Sequence, residues 1–193
     1  MSSDRIYPTP SCPDPNEIVQ HCDGCESFHI ISDDSADIAM FSDGACSDNG
    51  KSTARGGIGV YYTCDDDLNI SLPLPGTPQT SQRAELYGTI YALRQARRFE
   101  QDGYFVNYDG LVIITDSAYV VNVMTNWIYR WKRNGWMTSN GNRVANVDDI
   151  KELDRNIRFL EKKNVSVRFW KVDREYNDEA DRLAREGISK HST

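Results

Sequence analysis

Three strand-length apolar runs joined by short turns open the patterned part of this chain, and each later run is reached only through a helical stretch. Ile38 to Ser42 is a short apolar run ended by Asp43-Gly44, which reads as a buried strand. Gly57 to Tyr62 reads as the second strand and Leu68 to Leu74 as the third, with a solvated turn at Asp65-Asp66-Asp67 between them. Connections this short make the three antiparallel. Thr80 to Glu100 then has helical periodicity, with Ala84, Tyr87, Ile90 and Tyr91 on one side. Leu111 to Thr115 is apolar throughout, as a strand covered on both faces must be. Ser117 to about Trp131 and Asp148 to Glu161 read as helices, and Val165 to Val172 alternates as a strand. A last helix, Asn177 to Glu186, is capped by Asn177 and stopped by Gly187. The order is β-β-β-α-β-α-α-β-α. Right-handed crossovers place the last two strands parallel to the first. The expected fold is α/β, one mixed five-stranded sheet flanked by helices.

Residues 1–37 lack this patterning and carry Pro8, Pro10, Pro13 and Pro15, so they read as an irregular extension ahead of a domain at residues 38–193. No apolar run approaches the roughly 20 residues of a membrane span, and no basic region leads into an apolar run as in a secretory signal. Five cysteines, an odd number, suit reduced thiols and an intracellular protein, with the compartment left open. The formal charge of −7 argues, taken alone, against a nucleic-acid partner.

Four carboxylates stand where the expected topology would gather them. Asp43 ends the first strand, Glu85 lies in the first turns of the first long helix, Asp116 follows the fourth strand and Asp181 lies in the last helix. Any one of them has an ordinary explanation: a turn, a helix start, a polar helix face. Their coincidence at element ends carries the argument. The strands before Asp43 and Asp116 should be parallel neighbours, so both acids emerge at the sheet edge where open α/β sheets place ligands. Converging carboxylates raise one another's pKa, and a hard dication such as Mg²⁺ or Mn²⁺ relieves the repulsion. Two such ions about 4 Å apart can activate water and stabilise a leaving oxygen.

Four segments hold these acids: Phe41-Ser42-Asp43-Gly44-Ala45, Thr80-Ser81-Gln82-Arg83-Ala84-Glu85-Leu86, Ile114-Thr115-Asp116-Ser117, and Glu179-Ala180-Asp181-Arg182-Leu183-Ala184-Arg185-Glu186-Gly187. In order and spacing they resemble the four motifs of the type 1 ribonuclease H family, and Thr125 to Trp136 resembles its helix and basic protrusion. The resemblance runs from about Ile38 to Ile188 and implies a ribonuclease H-like fold. It implies an endoribonuclease that hydrolyses the RNA strand of RNA–DNA hybrids, leaving 5′-phosphate and 3′-hydroxyl ends. Asp43, Glu85, Asp116 and Asp181 would hold two Mg²⁺, with Mn²⁺ able to substitute. It places Asn49, Ser81 and Gln82 at RNA 2′-hydroxyls, which short polar side chains can both donate to and accept from. Thr80 and Asn146 match a pocket for a DNA-strand phosphate, although Pro78 stands where the family usually has Arg. Trp127, Trp131 and Ser139 match a DNA channel, and core packing at i, i+4 is the ordinary reading of the two tryptophans. Lys132 and Arg133, with Arg130 between Trp127 and Trp131, supply a local basic footprint that the net charge conceals. The family suggests a monomer, and a catalytically silent hybrid-binding module of the same fold is the alternative reading.

Several features depart from that pattern or lie outside it. The link from the last strand to the last helix, Val172 to Asn177, has no His where the family often has one, and Arg174 is the candidate to assist instead. Cys22 and Cys25 have zinc-ligand spacing, and Cys12 and His29 complete a candidate zinc set, although a second Cys-x-x-Cys pair is missing. The extension does not look like the hybrid-binding domain at the front of many eukaryotic members, which implies low processivity. Gly56-Gly57-Ile58-Gly59 falls inside the strand meander and so is not a nucleotide-binding loop. Arg94, Arg97 and Arg98 read as a solvated helix face.

Overall fold

The computed structural model describes residues 5–7, 14–24, 26–31 and 36–191. A short helix α1 (Pro15–Ile18) leads into a hairpin of β1 (Val19–Cys22) and β2 (Ser27–Ile31). The long strand β3 (Ala36–Ser47) follows, then β4 (Arg55–Tyr61) and β5 (Ile70–Pro73). Helix α2 (Ser81–Gln101) connects to β6 (Gly110–Thr115). Helix α3 (Ala118–Asn122) passes through a π turn, Val123–Trp127, into α4 (Ile128–Arg133). Helix α5 (Val147–Glu161), β7 (Ser166–Lys171) and α6 (Asp178–Ser189) complete the chain.

The five expected strands are present and ordered β5-β4-β3-β6-β7, with β3, β4 and β5 antiparallel and β6 and β7 parallel to β3. Alternation along the strands divides the core by face. Ile38, Met40, Leu111, Ile113, Val167 and Phe169 point towards α2 and α5 and join the larger core. Ala39, Phe41, Val112, Ile114 and Trp170 point the other way, into a second cluster that includes Ala180 of α6.

Two expectations change. The sheet has seven strands, because residues read as irregular supply β1 and β2. Strand β6 takes one edge of β3, while β2 and β4 share the other end to end: β2 pairs along Ala36–Ala39 and β4 along Phe41–Ser47. The hairpin has the short alternation of a strand pair, but its signal is diluted by the prolines before it, by His21 and Cys22 at the end of β1, and by Asp23 and Gly24 in its turn. Phe28 and Ile30 of β2 enter the second core cluster, with Ile18 and Val19 packed against it. Residues 5–7 run along the free edge of β7: the Tyr7 amide donates to the Phe169 carbonyl, and the Phe169 amide donates to the Arg5 carbonyl. The Tyr7 ring packs on Trp170 at 5.6 Å, under the Arg168 guanidinium.

Of the α2 arginines read as a solvated face, Arg98 is exposed as expected, but the other two also reach α5. Arg94 pairs with Glu152 and Arg97 donates to Asn156, so they fasten α2 to α5. The candidate zinc set is not supported. His29 is buried, edge-on to the Tyr108 ring at 4.2 Å, and burial lowers its pKa. Cys12 and Cys25 lie outside the described residues. Among the described residues no three His, Cys, Asp or Glu side chains are arranged to hold a metal ion. Also among them, no helix is long and apolar enough to cross a membrane.

The charged end of the added edge strand can be tested. Arg5 is buried and donates through Nε and Nη2 to the Glu161 carboxylate at 2.9 and 3.1 Å. Arg5→Ala should cost about 2 kcal/mol, the scale of hydrogen bonds to a charged group, read as a lower urea midpoint. An unchanged midpoint would mean that this segment adds nothing to the fold.

Candidate active site

Parallel pairing of β3 with β6 ends at Phe41 opposite Ile114. Asp43 and Asp116 each stand two residues further on, so they leave the sheet together. Asp43 is thus not at a strand end, as its Asp-Gly sequence suggested. It lies inside β3, paired with Gly59 of β4, at the point where β6 no longer covers the strand. Glu85 reaches this point because α2 touches β3 backbone to backbone. A Cβ at Gly44 would lie 2.0 Å from the Ala84 carbonyl carbon, and one at Gly88 would lie 2.3 Å from the Asp43 carbonyl oxygen. Helix α6 approaches the opposite face in the same way, over Gly57 and Gly59, and brings Asp181 in its first turn. The four acids line one cleft of about 530 Å³, with Ser81, Ser117, Tyr119, Arg174 and Arg185 on its walls.

Electrostatics follows from this crowding. Burial, then the charges of Asp116, Asp181 and Glu85, push the Asp43 carboxyl up to about 7, against a stabilising hydrogen bond from the Gly44 amide. Burial also raises Glu85, partly offset by a hydrogen bond from Ser117 Oγ to Glu85 Oε2 at 2.7 Å. The same Ser117 oxygen caps α3 by accepting from the Val120 amide. Asp116 Oδ1 accepts from Asn177 Nδ2 at 3.1 Å. Asp181 is held at both oxygens, by Arg174 at 2.8 Å and Arg185 at 2.7 Å. Each of these three acids therefore has its own donor, and no three of the four converge on one point. As a donor set they fit a hard dication. All are carboxylates on one cleft, and the raised Asp43 is the carboxyl that positive charge would return to its ionised form.

The other expected residues fall into two groups. Thr80 caps α2 by accepting from the Arg83 amide, and Asn49 Oδ1 accepts from the Ser81 amide at 3.2 Å, so Asn49, Thr80, Ser81 and exposed Gln82 meet at the start of that helix. Trp127 is 39% exposed, with its ring 6.3 Å from Tyr119 and 5.7 Å from Trp131, making an aromatic row out of the cleft. Trp131 is partly buried against the core, as the packing reading expects. Asn146 has φ +55° ahead of α5 and hydrogen-bonds Tyr119. It lines a second cleft with Pro78, Arg83 and Arg143. There Arg83 is committed to Asp149 and the Pro78 carbonyl, while Arg143 is exposed. Arg133 and Ser139 are exposed, whereas Lys132 turns inward and donates to Asp154 at 2.6 Å.

Sequence reasoning missed four residues on or beside the cleft: Ser117 as a partner of Glu85, Tyr119, Arg185 and Asn177. Tyr119 and Arg185 could have been found by helical spacing, three residues after Asp116 and four after Asp181. Ser117 and Asn177 were read as helix caps, which left no reason to look further.

The sequence profile of the RNase H family matches residues 35–189. Ribonuclease H1 of Rattus norvegicus is 40% identical over 157 residues, covering 79% of this chain and 50% of that protein. The ribonuclease H of Acetivibrio thermocellus is 34% identical over 162 residues, covering 80% of this chain and 97% of that protein. Against mammalian relatives such as the rat protein, the chain spans about half their length. Among solved structures, LC11-RNase H1 aligns with a TM-score of 0.56 at 20% identity, over 80% of this chain and 96% of that one. The foamy virus RNase H domain also gives 0.56 at 20%, over 78% and 93%. At that identity the structures speak for the fold alone, which here is a mixed sheet with flanking helices. Because the profile runs from the start of β3 through α6 and so spans all four acid-bearing elements, the chain belongs to the type 1 ribonuclease H family.

Proposed function

We propose that this protein is an endoribonuclease that hydrolyses the RNA strand of RNA–DNA hybrids and leaves 5′-phosphate and 3′-hydroxyl ends. The observation that carries the reading is the meeting, on one cleft, of four carboxylates from four separate elements with a polar helix start on one side and an aromatic row on the other. LC11-RNase H1, of the same fold, has been solved in complex with an RNA/DNA hybrid. Residues 38–193 form the catalytic domain in this reading, acting as a monomer, with residues 1–37 as an extension ahead of it.

Asp43, Glu85, Asp116 and Asp181 would hold two Mg²⁺ or Mn²⁺ ions. When bound, such ions supply an activated water and charge stabilisation for an in-line displacement at phosphorus. The chain's own residues do the positioning. Asn49, Ser81 and Gln82 offer hydrogen bonds to ribose 2′-hydroxyls, which distinguish RNA from DNA. Trp127 and Tyr119 offer ring faces to the sugars of the other strand. Asn146 faces a DNA-strand phosphate, and Arg143 supplies there the positive charge that Pro78 lacks. Arg130 and Arg133 extend the cationic surface. Arg174, in the short link ahead of α6, lies against Asp181 and assists at the cleft in place of a histidine.

Cleavage of a labelled hybrid in Mg²⁺, beside duplex DNA, duplex RNA and the Asp116→Asn variant, tests this directly. The RNA strand of the hybrid alone should be cut. The variant should lose about 10³-fold or more in rate, the scale set by removing a group that acts on developing charge. Hybrid binding without cutting, in Mg²⁺ and in Mn²⁺, would identify a binding module instead.

The Asp43 environment gives a second test, made in chelator. The carboxyl titrates near 3.8 when free and near 7 in the fold, so the folded protein holds the extra proton between those values. The contribution of Asp43 to stability therefore falls as pH rises from about 4 through 7. Asp43→Asn removes that penalty. It should raise Tm at pH 8 by about 3 °C or more, the shift expected from roughly 1 kcal/mol in a chain of this size, and change it little at pH 4. An equal gain at both pH values would rule out this account of Asp43.

A further inference from the structure

Asn177 precedes α6 at the position where an Asn side chain normally accepts from the first free helix amides. It does not do so. Its side chain is turned into the protein, 2% exposed, and its Nδ2 donates to Asp116 Oδ1 at 3.1 Å and to the Ser42 carbonyl at 3.3 Å. Its carbonyl oxygen accepts from the Asp181 amide. One residue thus touches the end of β6 at Asp116, β3 next to Asp43, and the first turn of α6 at Asp181. The arrangement has a cost, because Asn177 Oδ1 is buried without a hydrogen-bond partner. A buried orphan oxygen in a folded protein calls for a reason, and capping is not the reason here.

We propose that Asn177 is the positioning residue that fixes Asp116, and with it the distance between the β3 and α6 carboxylates, for a divalent cation. The inference rests on the reading of the four acids as cation ligands. The residue type follows from the chemistry. Asn supplies an N–H donor that is neutral at every pH. An Asp would cap the helix equally well but would set another carboxylate against Asp116 and could not donate when ionised. A Ser would be too short to reach both acceptors from the start of α6. Partners that hold a metal-ligating side chain commonly contribute roughly ten- to a hundred-fold to metal affinity.

The test compares the full chain with Asn177→Ala and Asn177→Leu. Mg²⁺ affinity is measured by calorimetry, stability by urea unfolding, and cleavage of the hybrid across Mg²⁺ concentrations. Both variants should bind Mg²⁺ roughly ten- to a hundred-fold more weakly, and half-maximal cleavage should move to higher Mg²⁺ by a similar factor. Hybrid affinity in chelator should stay within about two-fold of the parent, because Asn177 is buried away from the substrate surface. The urea midpoint should fall modestly, because the Ser42 carbonyl and Asp116 Oδ1 lose a donor while the orphan oxygen goes with it, and both variants should remain folded. Parent-like Mg²⁺ affinity in a folded variant overturns the proposal, and so does a loss confined to stability, which would return Asn177 to a structural role. A measurement on the unsubstituted protein runs in parallel. The Asn177 side-chain amide signals should shift with Mg²⁺ and saturate at the calorimetric affinity, and signals that do not move count against the proposal. If the parent binds Mg²⁺ but cuts no hybrid, the activity reading fails while the Asn177 comparison still decides. A parent that takes up no Mg²⁺ overturns both.

Discussion

The site depends on direct backbone contact between two helices and one pair of strands. Side chains normally keep a helix axis well away from a sheet. Here Gly44 and Gly88 remove that spacing between α2 and β3, and Gly57 and Gly59 remove it between α6 and β4. The helices sit on opposite faces of neighbouring strands, at the height where β6 has stopped pairing with β3. Glu85 and Asp181 are therefore carried to Asp43 from two sides. A methyl group at any of these glycines would meet main-chain atoms rather than a flexible side chain, so the helix would have to move and take its carboxylate with it. The glycine-rich stretch of β4 is thus the bed on which α6 lies.

Burying charge so close together is unfavourable, and the surrounding chain answers it residue by residue. Glu85 is met by a hydroxyl, Asp116 by an amide and Asp181 by two arginines. Asp43 has only its own strand's Gly44 amide against three like charges, and it is the carboxyl driven furthest from its ordinary range. The fold supplies enough donors to keep three acids in place and leaves the fourth, most buried one to be neutralised by a proton or by a cation. Preorganised charge of this kind lies outside what local sequence propensity favours.

The five main strands, the parallel pairing of the later ones and the gathering of the four acids on one cleft were legible in the sequence, because they rest on period, turn chemistry and topology rules that act locally. What escaped had non-local causes. Asp43-Gly44 looks like a turn in isolation, yet the glycine serves contact with α2 and the strand continues to Ser47. Ser117 and Asn177 look like caps, and only the folded arrangement shows one serving twice and the other not capping at all. The β1–β2 hairpin was hidden by its proline-rich approach, and it extends the sheet beside β3 so that Phe28 and Ile30 join Ala39, Phe41, Val112 and Ile114 in one apolar cluster. Arg94 and Arg97 were indistinguishable from surface charge until α5 lay beside them.

The same distinction resolves the conflict between a net charge of −7 and the proposed polyanionic substrate. Net charge bears on solubility and long-range steering, whereas a cleft responds to the charges within about a Debye length, roughly 8 Å at physiological salt. Much of the chain's positive charge is spent internally: Arg5 on Glu161, Arg83 on Asp149, Arg94 on Glu152 and Lys132 on Asp154. The arginines left facing outwards near the aromatic row and the second cleft are Arg130, Arg133 and Arg143. Against them stand the four acids of the main cleft, which repel a phosphate unless cations accompany it. Under the proposed function a hybrid would meet a surface that is attractive at its flanks and conditional at its centre, and its productive binding would be tied to loading the carboxylates. On that reading a low pI does not argue against a nucleic-acid substrate, because part of the recognising charge would be borrowed from solution.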